Sequence, residues 1–190
     1  MPDEIRLYAQ LTPDAATTDY LQRLQRQVVT SGRPLPAQHL HLTIIHFGKI
    51  GDMYHDIHRE SGVSRSAYDD ALWDYIERSQ QALPKTPIIL HPHHLELFGA
   101  RRSTLVLRTT STDTLEDAHK LLYQYLRDFL RDCGIDDIDT FIVGNQNLRH
   151  APTLIPHITL ARGFTAELPA VTVEPTPLTL DIASLTLPPQ

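Results

Sequence analysis

His-x-Thr occurs twice in this chain, each time at the head of an apolar run: HLTIIHFG over residues 41–48 and HITLARGF over residues 157–164. In an extended strand alternate side chains share a face. His41 and Thr43 therefore point one way while Leu42 and Ile44 point the other, and His157 and Thr159 do likewise against Ile158 and Leu160. Each strand presents an imidazole and a hydroxyl about 7 Å apart. Two such pairs, brought face to face, suit in-line phosphoryl chemistry. One neutral imidazole takes a proton from the attacking water or hydroxyl, and the other, as imidazolium, gives one to the departing oxygen. An unperturbed histidine, with a pKa near ~6.5, populates both forms around neutrality. The threonine hydroxyls would hold the non-bridging phosphate oxygens. Such chemistry needs no metal and no cofactor.

One copy alone means little, because polar residues alternate with apolar ones on any exposed strand face. Two copies carry weight because the elements around them repeat as well. Ile5–Leu11 (IRLYAQL) alternates as a half-buried strand does. Thr12 and Pro13 predict a helix start, and Ala16, Tyr20, Leu21, Leu24 and Val28 recur at helical spacing until Gly32, Pro34 and Pro36 stop it. HLHLTIIHF is then a strand. In the second half STLVLRTT, residues 103–110, predicts a strand, and capping residues in TTSTDTLED introduce the longest helix, with Leu115, Ala118, Leu122, Tyr125, Leu126, Phe129 and Cys133 on one face and Gly134 at its end. A loop of about twenty residues delivers the chain to the second His-x-Thr.

Between the halves, residues 49–65 are polar without a clear period and read as a loop or insertion. Tyr68, Ala71, Leu72, Tyr75, Ile76 and Leu83 predict a further helix closed by Pro84, and 87–98 is strand-like but broken at Pro92. Strand-like stretches near 171–174 and 178–187 finish the chain, with prolines at 175, 177, 188 and 189. The shared order, strand, amphipathic helix, proline-containing loop, His-x-Thr strand, predicts an α+β fold. Its two pseudo-symmetric strand-helix-strand lobes, with antiparallel sheets, flank a central cleft within one bilobal domain over 1–190.

Composition bounds the function. At 190 residues and 41% hydrophobic the chain can bury a substantial core. The N-terminal MPDEIRLYAQ has no basic region followed by an apolar one, and no window approaches the ~18 apolar residues of a membrane span, so a cytoplasmic, non-membrane protein is expected. Cys133 is the only cysteine, so neither an internal disulfide nor a cysteine-based zinc site can form. A net charge of -6 argues against a whole surface that attracts nucleic acid, DNA included. It favours small substrates or short RNA ends, since no basic track for a long polymer is visible.

HLHLTIIHFG and PHITLARGF resemble the paired signatures of the 2H phosphoesterases, especially the branch of 2'-5' RNA ligases and RNA 2',3'-cyclic phosphodiesterases. The resemblance spans nearly the whole chain, including the IRLYAQL strand, Phe98-Gly99 before a strand and the long helix before the second signature. It implies an active cleft between lobes, no metal cofactor, and His41, Thr43, His157 and Thr159 as the catalytic positions. The activity it implies is opening of a 2',3'-cyclic phosphate on a nucleotide or RNA end to a 2'-phosphate. Alternatives are cleavage or joining of 2'-5' linkages, or, from another class, a module that binds such an end without turning it over. For hydrolysis His157 is expected as base and His41 as acid, in a monomer. The chain departs from the resemblance at 49–65 and in the helix of about 68–83, which could cap the cleft.

Other residues raise lesser expectations. In similar proteins an arginine often follows the second signature as Arg162 does; here it has opposite strand parity to Thr159 but could bind phosphate. Arg101 and Arg102, at a turn after Phe98-Gly99, could reach a nucleotide phosphate. By parity His46 faces away from His41, whereas His39 shares its face and could line the cleft mouth. His91, His93 and His94, and His55 and His58 beside Asp52, Asp56 and Glu60, suggest a metal site only by type and read as exposed polar residues. Tyr8 and Phe47 could stack on a base, but aromatic residues in strands are ordinarily core.

Overall fold

The computed structural model describes residues 3–169 and 171–181. Its strands are β1 (Arg6–Pro13), β2 (Arg33–Pro34), β3 (Leu42–Lys49), β4 (Ile88–Leu90), β5 (Pro92–Phe98), β6 (Thr104–Thr109), β7 (His157–Arg162) and β8 (Leu178–Asp181). The helices are α1 (Ala15–Val28), α2 (Ile50–Ser61), α3 (Arg65–Ala82), α4 (Asp113–Asp132) and α5 (Ile138–Gly144). The strands form one eight-stranded antiparallel sheet in the order β4-β8-β1-β3-β7-β6-β5, with β2 added against β7. Counted outward from its centre, β3 corresponds to β7, β1 to β6 and β8 to β5. This is the expected pseudo-two-fold repeat.

The halves meet through one residue pair, Leu42 opposite Ile158. Both side chains are fully buried, on the face that carries the helices. That core is shared between halves: α4, which follows β6, packs on β3, and α1, which follows β1, reaches β7. Phe47 of β3 lies against Phe129 of α4 with ring centroids 5.4 Å apart. Buried Gln25 of α1 donates from Nε2 to the carbonyls of Leu160 (2.8 Å) and Leu35 (2.9 Å).

Local signals explain where the helices begin. Asp14, not Thr12, caps α1 by accepting from the Thr17 amide at 2.7 Å, because β1 runs on through Pro13, which pairs with Leu180. Thr112 caps α4 in the same way, accepting from the Leu115 amide at 3.3 Å.

Three expectations need correction. Residues 49–65 are not a loop: α2 occupies 50–61 and ends at Gly62 in the left-handed region (φ 72), where glycine meets no side-chain penalty. Its buried stripe is only Ile50, Gly51, Met53 and Ile57, too narrow to stand out among the histidines and acids around it. The twenty-residue loop likewise contains α5, capped by Asp137, which accepts from the Thr140 amide at 3.0 Å. Residues 171–177 have no regular structure, and of the last strand-like stretch only Leu178–Asp181 is a strand; 182–187 lie outside the described residues.

Leu42→Ala removes half of the seam pair from a fully buried position and is expected to lower stability by about 2–5 kcal/mol, measured by urea unfolding. A loss below about 1 kcal/mol would show that the seam is not a principal contact.

Candidate active site

At the seam the register does the positioning. Because Leu42 is opposite Ile158 in antiparallel strands, His41 falls beside Thr159 and Thr43 beside His157, on the face away from the core. All four are half-buried, against complete burial of Leu42 and Ile158 between them. Each imidazole is held by the same device. His41 Nδ1 lies 2.8 Å from the His39 carbonyl, and His157 Nδ1 lies 2.6 Å from the Ile155 carbonyl, two residues upstream in both cases. A carbonyl can only accept, so each Nδ1 carries the proton and each Nε2 is left bare in the neutral ring. A bare Nε2 accepts a proton as a base; once protonated it donates as an acid.

Both imidazoles are shifted below the usual histidine range. For His41 the main cause is burial, opposed by the His39 carbonyl and reinforced by the positive charges of His157, Arg162 and His39. For His157 burial again leads, with the Ile155 carbonyl and Glu96 opposing it and Arg108 reinforcing it. Aromatic rings flank the pair: Tyr8 stacks on His41 with centroids 5.6 Å apart, and Phe98 lies 4.7 Å from His157.

The parity argument fails just beyond each threonine, and for the same reason in both strands. In β3, Gln10 pairs with Thr43 and Ala9 with Ile45, so Ile44 is an extra residue. In β7, Val106 pairs with Thr159 and Leu105 with Ala161, so Leu160 is extra. These β-bulges flip the side chains that follow, until in β3 a second shift between the Tyr8–His46 and Leu7–Gly48 pairs, at Phe47, flips them again. His46 therefore turns to the face of His41, where it stacks on Tyr8 at 6.3 Å and lines the cleft. Arg162 turns to the face of His157 and Thr159, and its charge bears on His41. The freed Leu160 carbonyl is taken up by Gln25 and by the Leu35 amide (2.8 Å). A run of two buried residues after each Thr, Ile44-Ile45 and Leu160-Ala161, is the trace a bulge leaves in sequence.

A cleft of about 650 Å³ opens on the Thr43–His157 side of the quartet, lined by Thr43, His46, His157, Phe98 and Ile155, and by a wall of Asn147, Arg149, His150 and Ala151 that sequence reasoning missed; His41, Thr159 and Arg162 lie beside it and do not line it. That wall is positioned from behind. Buried Asn145 donates from Nδ2 to Asp56 of α2 at 2.9 Å and accepts from the Asn147 amide at 2.9 Å; the Asn147 carbonyl faces His46 Nδ1 at 3.4 Å. Buried His119 of α4 donates to the Ala151 carbonyl at 2.9 Å. No residue of 49–83 lines the cleft, so the insertion supports its wall and does not cap it. Arg108 was also missed: it pairs with His157 across strands, donates to Glu96 at 2.8 Å and keeps a buried Nε without a partner among the described residues.

Arg101 and Arg102 are not in the cleft. They are exposed at the β5–β6 turn and line an adjoining groove. His39 is exposed and contributes its carbonyl to His41. Among the described residues no group of three or more His, Cys, Asp or Glu is placed to hold a metal ion; His93 and His94 face each other (Nδ1···Nδ1 3.0 Å), and His58 faces the Val63 carbonyl. Phe47 is buried in the core, while Tyr8 stacks on His41.

The fold is shared with E. coli LigT and with other solved structures. TT0787 of Thermus thermophilus matches with a TM-score of 0.58 at 18% identity, over 92% of this chain and 84% of that one. A structure described as a phosphoesterase matches with a TM-score of 0.54 at 17% identity, over 93% and 84%. E. coli LigT complexed with phosphate matches with a TM-score of 0.51 at 18% identity, over 94% and 84%. No family model and no curated protein matches the sequence.

The two carbonyl contacts make a spectroscopic prediction. Long-range ¹H–¹⁵N correlation spectra are expected to show His41 and His157 as Nδ1–H tautomers at neutral pH, titrating below the ordinary value of ~6.5. Nε2–H tautomers in either ring would contradict the geometry.

Proposed function

We propose that this protein is a metal-independent phosphodiesterase that opens 2',3'-cyclic phosphates of nucleotides or RNA ends to 2'-phosphates. The observation that carries this reading is the pair of symmetry-related imidazoles, each with Nδ1 tied to a backbone carbonyl, set diagonally with two threonines around the Leu42–Ile158 pair. A phosphorus atom between them has a base on one side and an acid on the other, as in-line displacement requires. Thr43 and Thr159 bind its equatorial oxygens, and Arg162 adds fixed positive charge as negative charge develops. The likeness in fold to E. coli LigT, solved with phosphate, ATP and 3'-AMP, supports a nucleotide-phosphate ligand for the cleft.

The charges around the two rings favour a role assignment opposite to the sequence expectation. His41 is surrounded by His157, Arg162 and His39, all of which oppose its protonation, whereas at His157 the opposing charge of Arg108 is partly offset by Glu96. In hydrolysis His41 is then the base that takes the proton from water, and His157 the acid that returns one to the departing ribose 3'-oxygen. In the reverse, joining direction the roles exchange. A 2'-5' phosphodiesterase or ligase would use the same four residues, and the substrate alone separates these activities.

The test is hydrolysis of the four 2',3'-cyclic nucleotides, and of a short RNA with a cyclic end, in EDTA. Turnover by the wild type and a fall of about 10²–10⁴-fold in both His41→Ala and His157→Ala, with circular dichroism unchanged, is expected. Absence of wild-type turnover on all of them would falsify the cyclic-phosphate reading and direct the assay to 2'-5' oligonucleotides; unaltered ligand bound stoichiometrically would indicate a binding module.

The role assignment has its own test in the pH dependence of kcat/KM, expected to be bell-shaped with limbs belonging to the coupled pair. An acid must be protonated to act, so its loss forms the alkaline limb. Glu96→Gln removes the carboxylate that helps His157 hold its proton and leaves Arg108 unpaired. The alkaline limb should then move to lower pH. Movement of the acidic limb instead would make His157 the base.

A further inference from the structure

Four buried side-chain atoms have no hydrogen-bond partner among the described residues: Gln10 Oε1, Ser79 Oγ, Arg108 Nε and Thr109 Oγ1. Ser79 lies on α3, and Thr109, next after Arg108 in β6, projects toward the helix-covered face. The other two project from the face of the catalytic quartet. Gln10 is opposite Thr43 across β1 and β3, Arg108 is opposite His157 across β6 and β7, and directly paired residues share a face. One half of the site thus carries an unmet acceptor and the other an unmet donor.

Gln10 is the unexpected member of its strand. Leu7, Ala9 and Leu11 take the core face of β1, while Tyr8 and Gln10 take the other, where Tyr8 stacks on His41. Gln10 is only 9% exposed, and the symmetry-related place, opposite Thr159, is held by the fully buried and apolar Val106. The fold accepts an apolar side chain at this place, and a buried amide oxygen without a donor costs stability that an apolar group does not. Gln10 is therefore not there for the sake of packing. His41 comes two residues before Thr43 on the same face, so Gln10 stands diagonally across from it, within reach of a long side chain. Neither Gln10 nor His41 lines the cleft, which opens on the Thr43–His157 side.

We infer that Gln10 positions the attacking water, so that the site favours water over an alcohol as nucleophile. The inference rests on the reading of the cleft as a cyclic-phosphate site with His41 as base. A nucleotide in the cleft with its departing 3'-oxygen toward His157 turns the opposite apical side of phosphorus toward His41. A water there has two hydrogens to donate, one to His41 Nε2 and the other to Gln10 Oε1, and fixing both aims an oxygen lone pair at phosphorus. The new P–O bond forms as the bond from phosphorus to the 3'-oxygen breaks. His41 gains one water proton, His157 gives its proton to the 3'-oxygen, and the hydrogen held by Gln10 stays on the new phosphate hydroxyl. Negative charge develops on the departing oxygen, where a donor helps and an acceptor opposes. Arg108 beside His157 and Gln10 toward His41 stand in the halves that suit them. An alcohol has a single hydroxyl hydrogen, which His41 takes, and gains nothing from Gln10.

Competition between water and methanol for cytidine 2',3'-cyclic phosphate tests this, with the 2'-phosphate and its methyl ester separated by chromatography and weighed by mass spectrometry. Gln10→Met keeps the length of the side chain and removes the acceptor. It is expected to lower kcat for hydrolysis about tenfold with KM unchanged, to leave methanolysis at the wild-type rate, and so to raise the ratio of ester to phosphate about tenfold. Its melting temperature should equal or exceed that of the wild type, because an unmet buried oxygen has gone. Gln10→Glu, which keeps an acceptor, should hold the product ratio near that of the wild type. An unchanged ratio in Gln10→Met, or an equal fall in both reactions, would overturn the inference. Loss of folding in Gln10→Met would overturn it too, by making the amide structural. Failure of the cyclic-phosphate reading looks different: the wild type then forms neither product, and the inference falls with it.

Discussion

The site depends on one backbone pairing, Leu42 with Ile158, where the two halves of the sheet join. Burial of these two side chains on the helix-covered face forces their neighbours outward, and antiparallel register then sets His41 beside Thr159 and Thr43 beside His157. A shift of register by one residue would exchange the sets, turning the histidines and threonines into the core. The hydrophobic effect that closes the core thus also orients the polar quartet. Two helices reinforce the pairing by packing across the seam onto the opposite half, α4 on β3 and α1 on β7.

On that frame the two halves have diverged by small steps. Both strands bulge one residue after the threonine, and both thereby re-aim a fifth side chain into the site, His46 in one half and Arg162 in the other. A fixed cation and a titratable ring at equivalent places make the cleft electrostatically lopsided. His46, like His41 and His157, is held below the usual histidine range, mainly by burial, with the Asn147 carbonyl opposing and Arg6 adding to the effect. The second asymmetry is the α2–α3 insertion. Its Asp56 grips Asn145 at the base of the cleft wall, so residues remote from the reacting centre set where Arg149 and His150 stand.

Much of this was legible in the residues. Alternation in β1 and β3, capping at Thr112 and the doubled His-x-Thr foretold the α+β repeat, because period and capping are local signals; the two pairs lie side by side on neighbouring strands, not opposed across a cleft. What was not legible depends on contacts distant in sequence. The Leu160 bulge is stabilised by Gln25, 135 positions away, and without it Arg162 would have pointed into the core. Helix α2 was hidden because its narrow buried stripe acquires meaning only against β3, and α5 because its seven residues are too few to display a period.

The central claim is that both imidazoles address one phosphorus from opposite sides. The most direct test is a crystal structure with uridine vanadate, whose five-coordinate vanadium mimics the transition state of cyclic-phosphate opening. The account predicts vanadium between the rings, His41 Nε2 and His157 Nε2 each within about 2.6–3.2 Å of an apical oxygen, and the Thr43 and Thr159 hydroxyls on equatorial oxygens. Vanadate held by one histidine alone, or seated outside the cleft, would contradict it.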